Sequence, residues 1–341
     1  MAVEIPLISP SYPAPERETP VTARENLLLA LDHKKPYWMP NIYADSQMVI
    51  SKFNRDMPAS KNMDGYDWFG THYVYSETVG INVPTPGVFD EIGEWRDKVK
   101  WPDIDAIDWQ RELEGFVRDE NKALYMRMGN GPFERLHAFE GFEQALVDML
   151  TEPEETCAFF ERLVDYKIDL FNRLRDIFPF DFIVAADDYG TARAPFFSTE
   201  LFEETLLEPT KRFVKAVQAR GTRFIAHCCG KVDDFIPYFA NELGVDGLEI
   251  QTINDVAAIY ENYGDRLTVE YACDPRLVFN TEADDEECVE HVRSIIDTYG
   301  AHAVNGGGIV MNLKALNKER YYKMEQELYS HSSKKYERFH K

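Results

Sequence analysis

A chain of 341 residues with 44% hydrophobic and 13% aromatic residues can bury a large core, yet no apolar run approaches the roughly 18 residues that a membrane-spanning helix needs. Sixty acidic against thirty-seven basic side chains leave a net charge of −23, which repels phosphate backbones and anionic lipid surfaces, so nucleic acid and membranes are not expected partners. Five cysteines without disulfide-framework spacing, and an opening that lacks the basic start and apolar centre of a secretory signal, lead us to expect a cytoplasmic setting.

Residues 1–21 carry Pro6, Pro10, Pro13, Pro15 and Pro20 and read as an extended arm, suited to lie across a neighbouring subunit in a homodimer. Thr22 is placed to cap a helix whose apolar face is Leu27, Leu28, Leu29 and Leu31, and which breaks at Lys34-Lys35-Pro36. Residues 37–43 follow as the first strand. Residues 44–105 read as irregular, with Trp68, Phe69, Tyr73 and Tyr75 arguing against disorder, and are expected to form a lid.

From there on the pattern alternates. Strands are predicted at 123–128, 181–186, 224–227, 247–251, 267–272 and 302–305. Helices are predicted at 142–150, 155–178, 201–220, 232–242, 256–263 and 284–299, with a charged terminal helix over 318–339. Strand and helix in alternation imply parallel βαβ units. Seven visible strands suggest a single (β/α)8 TIM-type barrel over residues 22–341, with an eighth strand weak or hidden in the irregular region.

In such a barrel the functional groups lie at the C-terminal ends of the strands. Those ends carry Tyr43 and Asp45, then Asn130 and Glu134, then Asp187, Asp188 and Tyr189, then His227 and Cys229. Glu249 and Gln251, Glu270 and Cys273, and Asn305 with Gly306, Gly307 and Gly308 complete the set. His227 and Cys229 stand two residues apart on a strand end and can point the same way, offering an imidazole and a thiolate to Zn2+. Gly230 marks a tight turn directly after them. Glu249 and Cys273 are the candidates for a third ligand, Glu249 also suiting a role orienting His227. The bland alternative is a buried thiol beside a hydrogen-bonded core imidazole. Cys228 should face the core, and Cys157 and Cys288 lie in predicted helices. Asp187 and Asp188 cannot share one face of a strand, so at most one enters the pocket, as substrate-hydroxyl acceptor or general acid/base; Asp188 could equally cap the next turn.

The segments Asp188-Tyr-Gly-Thr191, His227-Cys-Cys-Gly230, Gly244-Val-Asp-Gly-Leu248, Cys273-Asp-Pro-Arg-Leu277 and Asn305-Gly-Gly-Gly308 resemble, in order and spacing, the uroporphyrinogen decarboxylase superfamily. They look most like its branch of cobalamin-dependent methyltransferases, and the likeness runs from about Thr22 onward. Two features depart from the family. Asn41-Ile-Tyr-Ala-Asp45 stands where the decarboxylases carry an Arg-rich loop, and the late Cys of the thiol-methylating members is absent.

What the resemblance then implies is a methyltransferase of the O-demethylase type, in anaerobic one-carbon metabolism. It would pass a methyl group from a methoxylated, aromatic substrate to the Co(I) of a corrinoid (cobalamin) held by a partner corrinoid protein. Zn2+ would sit on His227 and Cys229 with Glu249 or Cys273. Asp187, Asp188, Tyr189 and Asn305 would act in catalysis, and Tyr43, Trp68, Phe69 and Tyr73 would hold the ring. Alternatives are a methylcobalamin:thiol methyltransferase, a uroporphyrinogen decarboxylase-like enzyme and a non-catalytic ligand-binding barrel.

Overall fold

The computed structural model describes residues 15, 17–49, 65–77, 81–109, 116–302 and 308–340. Most of the predicted arm, and Asn305, Gly306 and Gly307 with nearly all of the strand predicted at 302–305, lie outside the described residues. Ten strands are present among the described residues: β1 Ser46–Met48, β2 Gly65–Tyr66, β3 His72–Ser76, β4 Ile81–Thr85, β5 Ala123–Met128, β6 Phe182–Ala186, β7 Arg223–Cys228, β8 Gly247–Ile250, β9 Thr268–Ala272 and β10 Ile309–Asn312. Seven of them, β1 and β5 to β10, form a parallel sheet, and β2 to β4 form a separate antiparallel sheet. With helices between the parallel strands this is the mixed α/β pattern of a TIM-type fold, with seven described strands where the sequence suggested eight. Strands such as β5 and β6 are apolar nearly throughout, as strands buried on both faces must be.

The chain divides into two compact units. The first comprises residues 1–48, 118–125 and 245–341. Thr22 caps the helix Ala23–Leu31 through a capping box with Glu25, as its sequence position implied. The predicted strand at 37–43 is reduced to one parallel bridge between Asn41 and Met311, and regular pairing begins only at Ser46, opposite Ala123. The amides of Tyr37 and Trp38 explain why, since both donate to the Asn26 side chain (2.7 and 3.5 Å), and Pro40 has no amide hydrogen to give. β9 lies between β8 and β10, with Glu249 beside Glu270 and Val310 on the other side. Strand β10 escaped the sequence reading because glycines precede it. Gly308 is required by packing within this unit, as a Cβ there would fall 2.0 Å from Thr268 Oγ1 and 2.5 Å from the Ala30 carbonyl oxygen.

The described part of the arm lies on its own chain. Arg17 pairs with Glu325 (3.1 Å) and stacks over Tyr329 (4.3 Å), both on the helix Lys318–Tyr336. Behind it, Asn41 Nδ2 donates to Glu325 Oε2 (3.0 Å) and to the Tyr321 hydroxyl (3.1 Å), while the Asn41 amide donates to Asp45 Oδ2 (3.0 Å). Burial, reinforced by the Glu325 carboxylate, pushes Asp45 up to about 7. A carboxyl whose pKa is higher folded than unfolded makes the folded state bind the extra proton between the two values. Its contribution to stability therefore declines as pH rises from about 4 to about 7 and is flat above. Urea denaturation across pH 4–8 is expected to show wild type losing on the order of 2–4 kcal/mol relative to Asp45→Asn. Parallel curves for the two proteins would contradict this assignment.

The second unit comprises residues 49–117 and 126–244. Here β6 and β7 pair from Phe182 opposite Arg223 to Ala186 opposite His227. The stretch expected to be irregular contains the antiparallel sheet, in which β3 pairs with β2 on one side and β4 on the other. Pro84 hid this strand from the sequence pattern. It is tolerated because β4 is an edge strand among the described residues. Prolines also break two predicted helices. The helix expected at 201–220 is divided into Thr199–Thr205 and Leu207–Gln218, because the Pro209 ring conflicts with continuation from Thr205. The helix expected at 232–242 becomes a 3-10 turn, Asp233–Phe235, and a wide π turn, Tyr238–Leu243, on either side of Pro237.

A helix that the sequence reading did not find, Pro132–Glu140, starts with Pro in its first turn. It carries Arg135, which pairs with Asp67 with both side chains fully buried and lies 4.3 Å over the Phe69 ring.

Candidate metal centre

The site grows out of the paired ends of β6 and β7, within the second unit. Ala186 and His227 are register partners, and the Asp187 amide donates to the His227 carbonyl (3.1 Å), so the two chains leave the sheet side by side. Strand alternation then sends the two aspartates in different directions. The Asp188 Oδ1 accepts the Cys229 amide hydrogen (2.7 Å) and lies 3.6 Å from His227 Nε2. Cys229 Sγ lies 3.3 Å from the same nitrogen. Oxygen, nitrogen and sulfur all fall within 4.8 Å of one another, each on a half-buried side chain. Zn–N, Zn–O and Zn–S bonds of about 2.0–2.3 Å at tetrahedral angles put ligand atoms roughly 3.3–3.7 Å apart, a range that holds both separations from His227 Nε2, so the donor set suits a zinc-type ion. Three protein ligands also leave a fourth position for a reacting group.

Asp187 turns the other way. Its carboxylate accepts the amides of Phe133 (3.2 Å) and Glu134 (2.8 Å) at the start of the helix Pro132–Glu140, and the Tyr189 hydroxyl donates to its Oδ2 (3.1 Å). Gly131 makes this contact possible, because a Cβ there would lie 2.4 Å from the Asp187 Cβ. Burial pushes Asp187 up to about 7 against these donors. Glu134 is raised further, to about 8, by burial first and then by Asp188 and Asp187. His137, one turn further on, is held down to about 4 by burial and is neutral at pH 7.

The tight turn after Cys229 is real. Gly230 has φ +97°, and a Cβ there would lie 2.2 Å from the Gly190 carbonyl carbon. Cys228 is fully buried, its thiol pushed well up by burial, consistent with a core role.

The other residues singled out from the sequence have these places. Tyr189 is buried at 2% exposure among Phe197, Phe202, Phe235 and Phe239. Phe69 and Tyr73 are buried, Phe69 against Trp101, Phe139 and Tyr166, and Tyr73 with its hydroxyl accepting from Asn130 (3.0 Å). Trp68 is half-buried. Glu249, Cys273 and Tyr43 belong to the first unit. Cys273 is buried, its Sγ 3.8 Å from Met311 Sδ, and burial pushes its thiol up to about 12; Glu249 is half-buried beside Glu270. Tyr43 lies 3.4 Å from Asn312 Nδ2, with the Lys314 ammonium 4.8 Å from its ring. Among the described residues the third donor beside His227 and Cys229 is Asp188, to which the sequence had assigned a substrate or acid–base role. Glu134 belongs to the same surroundings through the motif Gly131-Pro-Phe-Glu134, a helix start facing the aspartates.

Fold and site together define an α/β protein of TIM type with a candidate metal centre at the carboxyl ends of two adjacent strands. Residues 123–316, more than half of the chain, match the family model for uroporphyrinogen decarboxylase (URO-D), and the chain belongs to the URO-D family. That family is largely one of enzymes. No curated protein matches the chain. No helix among the described residues is long and apolar enough to cross a membrane.

Proposed function

We propose that this chain is a zinc-dependent methyltransferase that takes the methyl group of a methoxylated, aromatic compound and delivers it to the Co(I) of a corrinoid held by a partner protein. The observation that carries the reading is the Asp188, His227 and Cys229 cluster. These three residues would hold the ion, which when bound supplies Lewis acidity toward the ether oxygen. In that transfer the C–O bond would break with its electron pair staying on oxygen, and the methyl group would pass to the partner's Co(I), the cosubstrate that would supply the electron pair for its new bond. The chain's own side chains serve this transfer. Asp187 is committed to the helix start and keeps Asp188 free to face His227. Burial raises Glu134 and favours its uncharged form.

Decarboxylation of a polycarboxylate is the function in the family's name. In its favour this chain has only the family relationship. Against it, the place of the Arg-rich loop is taken by Asn41 and Asp45, which are buried with Glu325 in a network rich in carboxylates.

Two measurements test the proposal together. Protein purified without added metal is expected to contain zinc, and His227→Ala and Cys229→Ser are each expected to lower zinc affinity by more than about 100-fold, beyond the effect of losing an outer-shell partner. In parallel, methylation of free cob(I)alamin by a panel of methoxylated aromatics, followed by absorbance, should be lost in both variants. Retention of zinc and of activity in both would overturn the reading.

A further inference from the structure

We propose that Asp187 is a positioning residue that sets the metal affinity of the site without being one of its ligands, by tying the strand end that carries Asp188 to the start of the helix Pro132–Glu140. The proposal rests on the metal reading above and extends it. Three observations carry it. The helix begins at Gly131, which has no side chain with which to cap its own first turn. The amides of Phe133 and Glu134 are instead satisfied by Asp187, a residue reaching over from a neighbouring strand end, at 3.2 and 2.8 Å. The space for it exists only because Gly131 lacks a Cβ.

Asp187 is also fixed from its other sides. Its backbone amide donates to the His227 carbonyl (3.1 Å), and its Oδ2 accepts from the Tyr189 hydroxyl, which is itself set in an aromatic core. The residue between these two anchors is Asp188. With Asp187 and Tyr189 both held, the Asp188 backbone has little freedom, and its Oδ1 is presented to the Cys229 amide and to His227 Nε2. Without the helix clamp, the loop after β6 would have to pay the ordering entropy of Asp188 when an ion binds. A preorganised donor is therefore a local property of the helix start.

Co2+ alone is the probe, titrated into metal-free protein and followed by its thiolate-to-cobalt charge-transfer band. Asp187→Ala is expected to weaken Co2+ binding by about 10–100-fold, the range for removing an outer-shell support, and to alter the band as Asp188 leaves its place. Asp187→Asn, which keeps an acceptor for the Glu134 amide but turns an NH2 toward the Phe133 amide, should restore only part of the affinity. A role in stability alone would lower the melting temperature and leave affinity and band unchanged. Tyr189→Phe, which removes only the hydroxyl, and Gly131→Ala, which displaces Asp187 without touching a donor, should weaken binding in the same direction and serve if Asp187→Ala does not fold. Wild-type affinity and band in Tyr189→Phe and Gly131→Ala, or in a folded Asp187→Ala, overturn the proposal while leaving the metal reading intact. Failure of the wild-type protein to bind Co2+ at all overturns both.

Discussion

Replacing Asp67 by alanine is expected to destabilise the protein by about 3–5 kcal/mol, the cost of leaving a buried charge without its partner. Asp67 and Arg135 are both fully shielded from solvent, so the guanidinium left behind could not be rehydrated without opening the core. The loss extends beyond the ion pair, because Asp67 Oδ1 also accepts the amides of Phe69 and Thr71, each at 2.9 Å. Phe69 is thereby held under the guanidinium, with Phe139 and Tyr166 around it. Removing both charges in Asp67→Leu with Arg135→Met should recover the part due to the unpaired charge, while the two amides left without their acceptor keep a deficit of about 1–3 kcal/mol each. Urea denaturation of the single and double variants separates these contributions. A loss in Asp67→Ala below about 1 kcal/mol would show that the pair is not shielded as described.

The second large effect is expected at Gly230. An alanine there must adopt φ +97°, a backbone region costing an L-residue about 1–2 kcal/mol, and its Cβ would lie 2.2 Å from a backbone carbon of Gly190. That neighbour is backbone rather than a flexible side chain, so the two loops that carry Asp188 and Cys229 would have to separate. The Asp188 to Cys229 amide bond of 2.7 Å spans those same loops. If Asp188, His227 and Cys229 hold zinc as proposed, Gly230→Ala is expected to reduce zinc affinity more than about tenfold even where circular dichroism shows a folded protein. Wild-type zinc content together with wild-type melting temperature would refute the close approach of the two loops.

Legibility differed from one part of the chain to another for physical reasons. The parallel α/β pattern was readable because strands such as Ala123–Met128 and Phe182–Ala186 are short apolar runs between amphipathic helices, a local signal. The helix cap at Thr22 was equally local, needing only Glu25 three residues on. Strand β10 and the antiparallel sheet of β2 to β4 were not readable. A strand preceded by glycines, and one containing Pro84, declare themselves only through their hydrogen-bonded partners. The arm likewise gave no sign that Arg17 would fold back onto Glu325, 308 residues away in sequence.

At the centre the division is sharper. The sequence alone determined that His227 and Cys229 can act as a pair, since a spacing of two on an extended strand fixes their common direction, and it determined that Asp187 and Asp188 must diverge. It did not determine which aspartate faces the pair. That depended on the register of β6 against β7, on a helix start offering two amides to Asp187, and on Gly131 leaving room for the carboxylate. Those are contacts between segments about 40 to 55 residues apart, set by packing rather than by local preference, and only the tertiary structure could decide them.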